Sequence, residues 1–79
     1  MKNITIEYFA VLREHAGKEQ ETLATAAASA ADLYAELSRQ YAFPELASLK
    51  VAINDEFSDW HSGLEDGDTV VFIPPVAGG

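Results

Sequence analysis

The residues with the most distinctive chemistry occupy the last six positions, which read Pro74-Pro75-Val76-Ala77-Gly78-Gly79. The two prolines lack a backbone N–H, so we expect neither a strand nor a helix to continue through them. Gly78 and Gly79 have no side chain, and their backbone can pass through a channel too narrow for a β-carbon. The pattern predicts a flexible arm with a carboxylate at its tip, and the alternative is an ordinary frayed terminus. Because a terminal carboxyl group with a pKa of about 3.3 to 3.7 is an anion at neutral pH, it must be activated before a nucleophile can attack it.

Composition and charge exclude several classes of function. The 79 residues include 13 acidic and five basic ones, which gives a formal net charge of −8. This charge opposes binding to nucleic acids and to anionic membranes. The absence of cysteine excludes disulfides, thiolate metal sites and a cysteine nucleophile. His15 and His61 are well separated and form no ligand motif, so we expect no metal site.

The length of the chain predicts one small domain, residues 1–73, followed by the segment 74–79. With 48% hydrophobic residues, the chain can build a single compact core. The first ten residues include Lys2 and Glu7, and no apolar run approaches the length of a membrane span. We therefore expect neither a signal peptide nor a transmembrane segment, and we predict a soluble, cytoplasmic protein.

Hydrophobic spacing predicts five strands and one main helix. Alternating or continuous apolar residues predict strands at residues 3–9, 19–24, 49–53, 57–60 and 69–73. Ser29, followed three residues later by Asp32, is typical of a capping box, and an apolar stripe at helical spacing follows it. This helix is expected to end by about Phe43, because Pro44 disfavours helical angles in the residue before it. A shorter helical turn is predicted over residues 10–16.

The last predicted strand, residues 69–73, is apolar on both of its faces. Such a strand is either central in a covered sheet or covered by something outside the chain. The sequence contains only one strong helix to cover the sheet. We therefore predict that Ile73, with Phe9 and Phe57, lies on an apolar patch that a partner protein buries next to the segment 74–79.

The order of the predicted elements, strand, strand, helix and three further strands, is that of the β-grasp fold. This α+β fold with a mixed sheet is shared by ubiquitin-like proteins. The resemblance becomes specific at residues 8–10 (Tyr-Phe-Ala), 12–14 (Leu-Arg-Glu), 51–54 and above all 64–79. The last of these, Leu-Glu-Asp-Gly-Asp-Thr-Val-Val-Phe-Ile-Pro-Pro-Val-Ala-Gly-Gly, resembles the end of the MoaD-type sulfur carriers, the small subunits of molybdopterin synthase. The chain thus resembles the ThiS/MoaD family along essentially its whole length.

The resemblance implies a chemistry for the last residue. In this family an ATP-dependent adenylyltransferase, related to ubiquitin-activating enzymes, adenylates the terminal glycine, here Gly79, and sulfur from a persulfide then gives a thiocarboxylate. Gly78 and Gly79 would thread into the large, catalytic subunit, where the sulfur attacks cyclic pyranopterin monophosphate to form the molybdopterin dithiolene. The resemblance also implies a heterotetramer of two small and two large subunits, with no cofactor bound by this chain. The expected contacts with the partner include Pro74, Pro75, Val76 and Ala77.

Three alternatives to molybdopterin synthesis are compatible with a glycine pair at the end of a small domain. A ubiquitin-like modifier would form an isopeptide bond through Gly79. A related sulfur carrier would deliver sulfur to thiamine or to another sulfur-containing product. A plain interaction domain would not need Gly78 and Gly79 at all. The Pro-Pro-Val-Ala segment favours the molybdopterin interpretation, because none of the alternatives requires it.

Overall fold

The structure is a computed structural model of the chain, and it describes residues 1–43, 45 and 49–74. These residues form five strands and two helices, in the order β1 (Lys2–Tyr8), α1 (Val11–Ala16), β2 (Gln20–Thr25), α2 (Ala30–Tyr41), β3 (Lys50–Ile53), β4 (Glu56–Ser58) and β5 (Thr69–Ile73). All the predicted strands and both predicted helical segments are present, with bounds that differ by at most two residues. Neither helix in the described ranges is long and apolar enough to cross a membrane.

The five strands form one mixed sheet in the order β2-β1-β5-β3-β4. β1 and β5 are parallel neighbours, whereas the other three pairs of neighbouring strands are antiparallel. Parallel neighbours need a long crossover connection, and the connection from β1 to β5 includes α2. The predicted α+β fold of the β-grasp type, with a mixed sheet and one main helix, is therefore confirmed.

The helix α2 covers one face of this sheet. The Ser29 hydroxyl accepts a hydrogen bond from the Asp32 backbone N–H at 3.2 Å, which caps the start of the helix. The apolar stripe of α2 is buried against side chains from β1, β3 and β5. This shared core contains Ile4, Ile6, Tyr8, Leu33, Tyr34, Leu37, Val51, Val70 and Phe72.

The strand β5 is central in the sheet, between β1 and β3. Val70 and Phe72 are completely buried under α2, which accounts for one of the two apolar faces seen in the sequence. Val71 and Ile73 lie on the opposite face and are only half-buried. Of the two explanations for a strand that is apolar on both faces, the central position is correct, and the second face is only partly covered by the described residues.

The strand β4 ends earlier than the sequence predicts. The prediction extended it to Trp60, but the strand stops at Ser58. A turn follows, in which the Asp59 carbonyl accepts a hydrogen bond from the Ser62 N–H and the Asp59 carboxylate accepts one from the His61 N–H. The turn brings the Trp60 ring to 5.7 Å from the ring of Phe72, in a stacked arrangement.

A cluster of polar side chains joins β1, β2 and the last turn of α2. The Glu21 carboxylate accepts hydrogen bonds from the hydroxyl groups of Tyr8 and Tyr41, the latter at 2.8 Å, and Lys18 lies 3.5 Å from its other oxygen. Burial alone would raise the pKa of Glu21, but the two hydroxyl donors and Lys18 more than offset it, so that the pKa lies below its usual range. Burial, followed by the hydrogen bond to Glu21, raises the pKa of Tyr8.

This cluster predicts an acid dependence of stability. A carboxyl group whose pKa is lowered by folding stabilises the protein above its unfolded-state pKa of about 4.3, and the stabilisation is lost as the pH falls through the folded-state pKa. We expect the free energy of unfolding of the Glu21→Gln variant to fall less steeply below about pH 4.3 than that of the wild type. Urea denaturation at a series of pH values measures this, with Glu14→Gln, at an exposed position of α1, as the matched control. If the free energy of unfolding falls equally steeply with pH in the Glu21→Gln variant and in the wild type, the lowered pKa of Glu21 is contradicted.

Candidate functional site

The predicted site residues fall into two groups in the structure. Pro75, Val76, Ala77, Gly78 and Gly79 lie outside the described residues, so their roles stay predictions. Phe9, Phe57, Ile73 and Pro74 are described. The candidate site is therefore built from the sheet face and the strand end from which the segment 74–79 departs.

The strand register places Phe57 on the face of the sheet that α2 leaves open. Phe57 pairs with Ala52, Ala52 pairs with Val71, and Val71 pairs with Glu7. Directly paired residues of neighbouring strands point to the same face, so these side chains form one row across four strands. Ile73 lies two residues beyond Val71 on β5 and therefore shares this outer face.

The outer face is divided into an apolar half and a polar half. On β5, β3 and β4 it presents Val71, Ile73, Ala52 and Phe57, which we call the apolar half-face. On β1 and β2 it presents polar side chains, namely Thr5, Glu7, Gln20 and Thr22. The Phe57 side chain is 74% exposed, although water exposure of an aromatic ring is unfavourable. A surface of this kind is typical of a protein contact site.

Phe9 lies at the same end of the sheet as Ile73. The parallel register pairs Tyr8 with Phe72, and Phe9 and Ile73 each come one residue later. Phe9 is 47% exposed and follows the last residue of β1. Its position outside the strand explains why an aromatic residue stands where the alternation of apolar and polar residues along β1 would place a polar one. Phe9 and Ile73 thus lie at the end of the sheet where β5 ends, whereas Phe57 shares the outer face with Ile73 but lies two strands away, and contact of the three residues with a partner remains a prediction.

The backbone after Phe9 has an unusual conformation. Ala10 has a φ of 49° and a ψ of −122°, which a residue with a β-carbon rarely adopts and which costs on the order of 1–3 kcal/mol. The strain is imposed from both sides, because Tyr8 and Leu12 are both buried in the core and the chain must turn between them. The turn leaves Phe9 and Val11 at the surface.

Several residues around the site were not identified from the sequence. Val71 and Ala52 complete the apolar half-face, and an exposed Val11 lies beyond Phe9. A groove also opens beside β3 and β4, and it is lined by Leu49, Lys50, Val51, Phe57, Ser58, Asp59 and Trp60. The alternation of β5 did place Val71 on the same face as Ile73, so this residue could have been found from the sequence. The groove is formed in part by the turn after β4, and no local pattern in the sequence predicts it.

The chemistry of the described site is that of a contact surface. No group of three or more histidine, aspartate or glutamate side chains in residues 1–43, 45 and 49–74 is placed to hold a metal ion. The exposed side chains of the apolar half-face carry no nucleophile and no acid or base. The arrangement is typical of a surface for contact with another protein.

Comparison with known proteins agrees with the fold and with the sequence resemblance. The model of the ThiS family matches residues 6–79. Among solved structures, the putative molybdopterin converting factor subunit 1 from Pyrococcus furiosus is 28% identical, with a TM-score of 0.79 over 96% of this chain and 100% of the other. A chain in the complex of subunits 1 and 2 of the molybdopterin-converting factor from Helicobacter pylori is 25% identical, with a TM-score of 0.69 over 98% of this chain and 99% of the other.

A small archaeal modifier protein is similar to this chain in fold alone. Small archaeal modifier protein 1 of Haloferax volcanii is 20% identical, with a TM-score of 0.82 over 96% of this chain and 100% of the other. At this identity the likeness concerns the β-grasp architecture and carries no functional assignment. The family match, by contrast, covers nearly the entire sequence, including the final glycine pair. The chain therefore belongs to the ThiS family and has the β-grasp fold of the ThiS/MoaD ubiquitin-like sulfur carriers.

Proposed function

We propose that this protein is the sulfur carrier subunit of molybdopterin synthase. The observation that carries the proposal is the end of the sequence, Pro-Pro-Val-Ala-Gly-Gly, on a chain of the ThiS family. Additional support comes from the similarity to a putative molybdopterin converting factor subunit along the whole length of both chains. The proposal places the protein in the cytoplasm, where ATP and a persulfide donor are available.

The proposed chemistry takes place at the Gly79 carboxylate. An adenylyltransferase transfers AMP from ATP to this carboxylate and releases pyrophosphate, which converts a poor electrophile into a mixed anhydride. Persulfide sulfur then attacks the carbonyl carbon and AMP leaves. A thiol reduces the resulting acyl disulfide, which yields the Gly79 thiocarboxylate and a new disulfide. The thiocarboxylate sulfur attacks cyclic pyranopterin monophosphate in the large subunit, and water then cleaves the acyl–sulfur bond, which leaves the sulfur on the pterin and returns the Gly79 carboxylate. Two such deliveries form the dithiolene of molybdopterin.

The proposed partner is the large subunit, in a heterotetramer of two small and two large subunits. The structure from Helicobacter pylori is a complex of subunit 1 with subunit 2, which supports a second protein as the partner of this chain. The segment 74–79, at about 3.1 Å per residue, can extend roughly 19 Å beyond the sheet. A partner that covers the apolar half-face could therefore receive Gly79 in a site well below its own surface.

The scarcity of cations supports this division of labour. A phosphorylated substrate needs positive groups, and this chain has only five basic residues. In the described part of the chain, Lys2 donates to the Ala27 carbonyl at 2.9 Å, and Arg13 and Lys18 lie within 3.5 Å of glutamate oxygens. The phosphate-binding groups and any general acid or base are therefore assigned to the large subunit.

The test of the proposal is the chemical state of Gly79. The C-terminal peptide of protein made together with its activating enzyme should contain one sulfur in place of one terminal oxygen, as measured by high-resolution mass spectrometry. The measurement is made on the peptide because oxidation of Met1 changes the intact mass by nearly the same amount. An unmodified carboxylate, obtained with the activating enzyme, ATP and a sulfur source all present, would refute sulfur transfer.

A protein modifier is the second candidate function. The similarity in fold to small archaeal modifier protein 1 supports this second candidate, because a lysine amine could attack the same activated Gly79 instead of sulfur. Isopeptide-linked adducts on cellular proteins, absent after deletion of Gly79, would support the modifier. A sulfur carrier for thiamine would be recognised by the synthase that copurifies with it and by the cofactor lost on deletion of the gene.

The apolar half-face gives a prediction about binding to the large subunit. Phe57→Asp should weaken the affinity by about 30-fold or more, because it replaces an exposed aromatic anchor with a charge that the complex would bury. Thr22→Asp introduces the same charge on the polar half of the same face and should change the affinity by less than about 2-fold. Titration calorimetry measures both. Equal losses of affinity in the two variants would show that the partner does not bind preferentially to the apolar half of the outer face.

A further inference from the structure

Lys50 occupies a distinctive position on the outer face of the sheet. It pairs across the antiparallel strands β3 and β5 with Ile73, the last residue of β5, and its side chain is exposed. Directly opposite residues have Cβ atoms about 4.5–5.5 Å apart. Lys50 therefore stands at the end of the apolar half-face, beside the residue after which the segment 74–79 leaves the sheet.

Lys50 has no ion-pair partner among the described residues, although the chain carries 13 acidic residues. Three of the other basic residues, Lys2, Arg13 and Lys18, have a hydrogen-bond or ion-pair partner. No carboxylate in residues 1–43, 45 and 49–74 forms an ion pair with Lys50. Asp59 lines the same groove but accepts its hydrogen bond from the His61 N–H. Arg39, on α2, is also exposed and unpaired in this part of the chain, and it lies on the opposite side of the sheet from Lys50.

A protein that covers Ile73 also withdraws its neighbour Lys50 from water. A desolvated ammonium group without a partner is strongly unfavourable, whereas a carboxylate at hydrogen-bond distance compensates for the lost hydration. Other carboxylates of the partner would be repelled by the net charge of −8. A single acidic group opposite Lys50 would therefore both fix the register of the complex and discriminate between partners.

We infer that Lys50 is a specificity-determining residue, which pairs with a carboxylate of the partner protein next to the surface that buries Ile73. The inference rests on the proposed function, in which that partner is the large subunit of molybdopterin synthase. The inferred ion pair adds a charged contact to the contacts made by the apolar side chains. This charged contact determines which large subunit binds. In this inference Lys50 acts only through recognition of the partner.

The experiment measures the affinity of the full-length protein for the large subunit from the same organism, by titration calorimetry at low and high salt. Lys50→Arg keeps the positive charge and should bind within about 3-fold of the wild type, whereas Lys50→Gln should bind about 10-fold more weakly and Lys50→Glu about 30-fold or more. Arg39→Glu makes the same change of charge at an exposed position of α2 and should stay within about 2-fold of the wild type. The penalty for Lys50→Glu should also shrink at high salt.

The outcomes separate this inference from the proposed function. If the wild type binds the large subunit and Lys50→Glu binds as tightly as Arg39→Glu, the charged contact is refuted while the proposed function stands. If the wild type does not bind the large subunit at all, the proposed function and the inference both fail. Equal thermal unfolding midpoints for all variants are expected, because both side chains are exposed, and they would confirm that the affinities compare folded proteins.

Discussion

The Gly79→Leu variant is expected to lose sulfur delivery almost completely while keeping its fold. Under the proposed function, residue 79 has to pass through narrow channels in the activating enzyme and in the large subunit, where a glycine backbone fits and a leucine side chain does not. Because a displacement of about 1 Å at the reacting atoms can cost about 100-fold in rate, we expect at least this loss in the formation of molybdopterin. The measurement is single-turnover conversion of cyclic pyranopterin monophosphate by a synthase reconstituted from the variant and the large subunit.

A graded series distinguishes a steric block from a general defect. Gly79→Ala adds one methyl group and should lose less activity than Gly79→Leu, and both variants should unfold at the wild-type temperature because position 79 lies beyond the last strand. The adenylated and thiocarboxylated forms of each variant can be followed separately by mass spectrometry of the C-terminal peptide. A Gly79→Leu protein that still delivers sulfur at the wild-type rate would refute the role of the glycine pair.

The largest expected loss of stability comes from Phe72→Ala. Phe72 is completely buried, and its ring lies 5.0 Å from the ring of Tyr34 and 5.7 Å from that of Trp60. Removal of a buried phenylalanine ring typically costs about 3–5 kcal/mol. A domain of this size is stable by roughly 4–12 kcal/mol, so the variant should unfold at a temperature lower by about 15–30 °C.

Phe57→Ala is the matched control for this substitution. It removes the same ring from a position that is 74% exposed, so its free energy of unfolding should stay within about 0.5 kcal/mol of the wild type. Chemical denaturation, followed by the fluorescence of Trp60, the only tryptophan, measures both variants. A similar loss in the two proteins would mean that Phe57 is covered by the fold and is not free to contact a partner.

The elements of the fold could be predicted because each has a strong local signal. The start of α2 is marked by Ser29 and Asp32, and its buried stripe has helical spacing. The bounds of β5 follow from an apolar run between a polar turn and a proline. Trp60 falls within the predicted strand 57–60, but β4 ends at Ser58, because the turn at Asp59 takes the chain out of the sheet and Trp60 packs against Phe72.

The site could be predicted only in part, because it depends on pairings between distant residues. That Phe57 and Ile73 share one face follows from the register of β4 on β3 and of β3 on β5, which no local pattern specifies. The position of Lys50 beside Ile73 depends on the same register. The strained turn at Ala10 was also missed, since alanine is not a residue that signals a positive φ.

The central position of β5 has a consequence for the order of folding during synthesis. Without β5, the described sheet separates into two unconnected hairpins, β1 with β2 and β3 with β4, because no other strand of the described residues pairs with both. An isolated two-stranded hairpin is at best marginally stable, so a chain still emerging from the ribosome has no persistent sheet until residues 69–73 have been released. These residues come directly before the segment that carries Gly79. A nascent chain can therefore complete the sheet face that carries the apolar half-face only after residues 69–73 have been made, and chains that terminate before β5 lack this face.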